Sequence, residues 1–99
     1  MFDYTGWIVR AEAGRDREGI FCVVGMDRER QRLLLADGKR RKAARPKPKK
    51  LGHVSLLTDS QHGFDHPAIQ KLKQGEPVSD RELRRALAAF KEGITLGER

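Results

Sequence analysis

Residues 6–38 read GWIVRAEAGRDREGIFCVVGMDRERQRLLLADG. Three short apolar runs alternate here with polar, glycine-bearing breaks. Gly6 to Ala13 is β-branched and aromatic, with partial alternation through Trp7, Val9 and Ala11, which predicts a strand. Gly14 to Gly19 is polar with glycine at both ends, a turn or loop signal. Gly19 to Met26 is almost entirely apolar, as in a strand buried on both faces or in a barrel. Arg32 to Ala36 predicts a third strand, and Asp37-Gly38 a tight turn out of it.

Beyond that turn the composition changes. From Lys39 to Lys50 there are eight basic residues and no acid: Lys39, Arg40, Arg41, Lys42, Arg45, Lys47, Lys49 and Lys50. Residues 1–38 hold six basic and seven acidic side chains, and residues 51–99 hold seven of each. The net charge of +7 therefore comes almost wholly from this segment. Solubility does not need the excess in one place, whereas a concentrated positive patch attracts phosphate backbones. Pro46 and Pro48 block helix and favour an extended path that displays charge along a line. Leu51 to Leu57 then predicts a last strand, so the basic run is a loop or irregular strand inside one domain.

The second half changes period. Asp65 to Lys73 predicts a short helix capped by Asp65, with Pro67 in its first turn and Gly75 ending it. Ser79-Asp80-Arg81-Glu82 fits a capping box, with Val78 and Leu83 placed for a hydrophobic staple. Leu83, Ala86, Leu87 and Phe90 then recur at helical spacing, with Gly93 the expected stop. This stripe is expected to pack on the strands or on the preceding helix.

Three words in order resemble the KOW motif, a hairpin pattern of ribosomal proteins and NusG-type transcription factors. They are Ala13-Gly14-Arg15, Val23-Val24-Gly25-Met26-Asp27 and Leu34-Leu35-Ala36-Asp37-Gly38. The likeness is more narrowly to KOW-type large-subunit ribosomal proteins of archaea and eukaryotes, and to small bacterial KOW-domain RNA-binding proteins. It covers about residues 5–57. It implies a mainly β fold with an α extension: a small SH3-like, KOW-type β-barrel over 1–58, including the basic segment, then one or two C-terminal helices over 59–99. It implies a noncatalytic, ribosome- or translation-associated protein that contacts structured RNA, with a ribosomal protein as a further partner; MFDYTGWIVR lacks a signal-peptide pattern, so the cytoplasm is the expected compartment. Arg15 and Arg17 lie in the loop that such families use, but Asp16 and Glu18 leave it nearly neutral. Weight therefore shifts to Lys39–Lys50. The competing reading is an SH3-like protein-interaction module docking a ribosomal or transcription partner.

Other chemistries find little support. Cys22 is the only cysteine, so neither an intrachain disulfide nor a cysteine-cluster zinc site is expected, and its apolar surroundings predict an inert thiol. His62, Asp65 and His66 have metal-like spacing, but Gly63 and Pro67 interrupt a continuous helix. No metal, cofactor or catalytic residue is expected, and no apolar run suits a membrane span. Trp7 and Phe21 are expected in the core, with Tyr4 near the surface. No aromatic is interleaved with the basic run, which favours backbone contacts over base stacking.

Overall fold

The computed structural model describes residues 2–15, 17–58 and 63–97, with side chains described as far as 93. Five strands form one antiparallel sheet, and two helices follow. The strands are β1 (Ile8–Ala11), β2 (Ile20–Asp27), β3 (Arg32–Ala36), β4 (Lys47–Lys50) and β5 (Val54–Leu56). They lie in the order β4-β3-β2-β1-β5. A 3-10 turn, Leu51–His53, carries β4 directly into β5.

The alternation of side chains sorts the sheet into two buried faces. Val9, Ala11, Phe21, Val23, Leu33 and Leu35 share one core cluster, joined at its edge by Tyr4, Trp7, Met26, Leu51 and Val54. Ile8, Cys22 and Ala36 face the other way and meet the helices. Pairing respects this sorting: Cys22 lies opposite Ala36, and Val23 opposite Leu35. Between Val23 and Gly25 strand β2 gains one residue over β3. That bulge resets the alternation, so Met26 returns to the face of Val23. This is why an almost uninterrupted apolar run works as a strand here.

Of the loop and the irregular strand expected for the basic segment, the structure has both, and the bounds of the last strand need correction. Part of the basic segment is itself a strand: Lys47, Pro48, Lys49 and Lys50 pair with Leu35, Leu34, Leu33 and Arg32. Proline is tolerated because β4 is an edge strand, bonded on one side only. The last expected strand is correspondingly shorter, since Leu51–His53 forms the 3-10 turn. Thr58, just beyond β5, is buried beside β1. Its Oγ1 accepts the Ile8 N–H at 2.9 Å.

Helix α1 (Pro67–Lys73) and helix α2 (Asp80–Gly97) complete the fold. The cap of α1 is His66, not Asp65: His66 Nδ1 accepts the Ala68 N–H at 3.1 Å. Asp65 instead accepts from the Gln70 side chain at 2.8 Å. The capping box of α2 forms as expected. The Glu82 N–H donates to Ser79 Oγ at 3.1 Å, and the Ser79 N–H to Glu82 Oε1 at 3.2 Å. The Lys71 ammonium, 2.8 Å from Glu82 Oε2, and the Ser79 amide hold the Glu82 carboxyl below the usual carboxylate range. Gly93 does not stop α2, which runs on to Gly97. Leu83, Ala86, Leu87 and Phe90 are all buried. Leu83, Leu87 and Phe90 share a cluster with Ile69 and Leu72 of α1 and Ile8, Cys22 and Ala36 of the sheet. The stripe is thus covered from within the chain, and the two halves share one core. Among the described residues no helix is long and apolar enough to cross a membrane.

Candidate nucleic-acid interface

The basic segment begins by winding around one carboxylate. Asp37 Oδ1 accepts the N–H groups of Lys39 and Arg41, each at 2.9 Å. The Asp37 and Gly38 N–H groups both donate to the Arg41 carbonyl at 3.0 Å. A further turn follows, closed by the Arg45 N–H on the Lys42 carbonyl at 2.9 Å. Gly38 makes the winding possible, because its φ of +76° is strained for any residue with a side chain.

Helix α2 then fixes this loop from outside. The Ala43 N–H donates to Asp80 Oδ1 at 2.7 Å. Arg84 Nη1 donates to the Gly38 carbonyl at 2.7 Å. Gly38 sits so close to the Asp80 backbone that a Cβ there would overlap the Asp80 carbonyl. The loop backbone is therefore held at Asp37, Gly38, Arg41 and Ala43. Along it Lys39, Arg40, Lys42 and Arg45 are exposed, and Arg41 is half-buried.

Strand β4 divides the remaining charges by face. Pro48 and Lys50 are exposed, whereas Lys47 is half-buried and Lys49 buried. Lys49 lies opposite Leu33, on the inner face of the sheet. Its Nζ donates to the Ala13 carbonyl at 2.7 Å and approaches the site where Gly14 would carry a Cβ. Lys49 thus ties the edge strand to the β1–β2 loop rather than presenting its charge to solvent. Arg15 and Arg17, in that same loop, are exposed. Their loop closes through the Glu18 N–H on the Ala11 carbonyl at 2.7 Å and the Ala11 N–H on the Gly19 carbonyl at 2.9 Å.

The expected site residues therefore occupy three settings. Lys39, Arg40, Arg41, Lys42 and Arg45 sit on a braced loop. Lys47, Lys49 and Lys50 sit on an edge strand. Arg15 and Arg17 sit on a hairpin that Lys49 joins to that strand. Sequence reasoning did not find Asp80 and Arg84, the residues that brace the loop. They lie 37 and 46 positions from their partners, and no local spacing marks them.

The remaining candidates take other roles. Cys22 is buried, and burial pushes its thiol up to about 12, which keeps it protonated and unreactive at neutral pH. His66 uses Nδ1 to cap α1, and His62 lies outside the described residues. Phe21 is buried, while Tyr4 and Trp7 are half-buried. Phe2, Tyr4 and Trp7 pack edge to face, with centroids 4.9–5.4 Å apart. Compared with protein-family models and with curated proteins, the chain matches none.

Proposed function

We propose that this protein is a noncatalytic, cytoplasmic RNA-binding module of the KOW type, associated with the ribosome or translation. It holds the phosphate backbone of structured RNA chiefly through Lys39, Arg40, Lys42, Arg45 and Lys50, with Arg15 and Arg17 assisting. The observation that carries this reading is the braced loop: four exposed cations stand on a backbone already bonded to Asp37 and Asp80. A loop ordered before binding loses little conformational entropy when a phosphate arrives. Lysine and arginine then supply point-charge and bidentate contacts respectively.

Three observations support a sheet rolled up as in the SH3-like barrel that the KOW reading needs. In a flat sheet the outer strands of five would lie about 19 Å apart. Here β4 and β5 are joined by three residues in a 3-10 turn, which rises only about 6 Å. Lys49 on β4 reaches Ala13, two residues past β1, although β3 and β2 separate the two strands in the sheet. The inner face, with Val9, Phe21, Val23, Leu33 and Leu35, is buried although its cluster contains no residue of α1 or α2. A sheet curled onto itself accounts for all three.

The test is the salt dependence of binding to an RNA hairpin with a 20-base-pair stem. Five to six phosphate contacts give a slope of about −4.5 to −5.4 for log K against log salt. Replacing Arg40 and Lys42 by Ala should flatten it by nearly 2 units. A slope near zero for the wild-type chain would overturn the proposal. Nuclease treatment before a pull-down separates it from the protein-interaction reading, which requires partners that survive digestion.

A further inference from the structure

Helix α2 carries a second set of cations that neither its cap nor its core stripe requires. Leu83, Ala86, Leu87 and Phe90 face inward, and on the opposite side Arg81, Arg84, Arg85, Ala88, Lys91 and Glu92 are all exposed. At 100° per residue these six fall on one continuous face. That face holds four cations and one carboxylate, with the small Ala88 in the middle. From Arg81 to Lys91 it extends about 15 Å along the helix axis.

The same face borders the basic loop. A cleft of about 210 Å³ has Lys39 and Asp37 on its loop side, Arg84, Ala88 and Lys91 on its helix side, and Ile20 and Leu87 among its lining residues. An adjoining cleft of about 300 Å³ shares Ile20, Asp37, Lys39 and Lys91 with it and adds Arg40 and Glu18. Of the two carboxylates here, Asp37 already accepts two backbone N–H groups. Glu18 is exposed.

We propose that the outer face of α2 and the Lys39–Arg40 loop form one continuous phosphate-binding surface, with an RNA backbone running along the seam between them. Its first phosphate sits between Lys39 and Lys91, and the strand continues past Arg84 toward Arg85 and Arg81. This rests on the RNA-binding reading and assigns α2 a share of it. The braces described above acquire a second purpose: the Asp80 and Arg84 bonds set the loop and the helix in fixed register, so both walls of the seam act together. A helix-borne cation row spreads its charges along about 15 Å of axis, which suits a repeating backbone rather than a single small anion.

The experiment uses the full chain and the same RNA hairpin. Arg85→Ala with Lys91→Ala should weaken binding by roughly tenfold or more and flatten the salt slope by up to about 2 units. Glu92→Gln removes the one carboxylate on the face and should tighten binding severalfold, a gain that a misfolded variant cannot imitate. An unchanged slope for the Arg85/Lys91 variant, alongside a loss for the Arg40/Lys42 variant, overturns this inference and leaves the RNA-binding reading standing. Wild-type binding without salt dependence overturns both. Binding to phosphatidylserine vesicles that vanishes in the Arg85/Lys91 variant, with RNA binding intact, also overturns it and assigns the helix face to a membrane surface.

Discussion

The Ala43 N–H donates to the Asp80 carboxylate across 2.7 Å, joining the basic loop to the first turn of α2 over 37 positions of sequence. The bond involves a charged acceptor and is partly buried, the kind of hydrogen bond whose loss costs about 1.5–3 kcal/mol. Asp80→Ala should therefore lower stability by about that amount. It should also release the loop selectively. In amide hydrogen exchange, protection at Ala43 should fall further than at Lys39 and Arg41, which keep Asp37 as acceptor. Equal loss at all three amides would show that the loop does not depend on this brace.

Gly38 tests the same contact from the other side. Its φ of +76° strains any side chain, and its Cβ would enter the Asp80 backbone. Gly38→Ala therefore has two independent costs, and a total above about 2 kcal/mol is expected. The local consequence should be separation of the loop from α2, with loss of the Arg84 bond to the Gly38 carbonyl. Urea unfolding gives the stability. RNA affinity gives the functional effect, which should fall although no charge has changed. Unchanged stability would place the loop elsewhere.

Lys49 should behave unlike its exposed neighbour Lys50. It is buried, and its ammonium satisfies the Ala13 carbonyl. Lys49→Met keeps most of the apolar stem but leaves that carbonyl without its donor, at a cost of about 1–3 kcal/mol. Lys50→Ala removes an exposed charge and should alter stability by less than about 0.5 kcal/mol. For RNA binding the order reverses: Lys50→Ala should flatten the salt slope by nearly 1 unit, and Lys49→Met should leave it unchanged. The paired measurement separates a lysine that holds the fold from one that faces a ligand.

The elements that could be read in advance are those whose signals are local. Strand β3 matches its expected bounds because Leu33 to Ala36 is apolar and ends at a turn. The capping box of α2 was legible because Ser79 and Glu82 are three residues apart. The bounds and pairing of β4 were not, because KPKK carries neither apolar alternation nor strand propensity. It is a strand because β3 offers an unpaired edge, and that fact belongs to the tertiary fold. Gly93 misled for a related reason. It is not among the glycines with positive φ, so it forms no helix-ending turn. Glycine within a helix costs only about 1 kcal/mol. The apolar stripe up to Phe90 is already packed against the sheet and α1, and that packing outweighs the cost. Among the candidate site residues, the charges were visible in composition, but their sorting into exposed, half-buried and buried depends on the pleat of β4. The braces at Asp80 and Arg84 depend on contacts no sequence window contains.

Cys22 provides a test of the core through pH. Burial pushes its thiol from about 9 to about 12. Below pH 9 the thiol is protonated in both folded and unfolded chains and has no effect on the balance. Above that, the unfolded chain loses the proton while the folded chain retains it up to about pH 12. The unfolded state is therefore favoured as pH rises through this window, by up to about 1.4 kcal/mol per pH unit. Cys22→Ala removes this dependence. The variant should be less stable than wild type at pH 7, because a small buried volume is lost. The gap should then narrow or reverse between pH 9 and pH 11. Lysine deprotonation also acts in this range, but it is common to both chains and cancels in the difference. Urea unfolding of the two proteins at pH 7, 9 and 10.5 measures it. Parallel pH profiles would mean that water or a base reaches the thiol in the folded state, and that the packing of Ile8, Cys22 and Ala36 against the helices is looser than the structure describes.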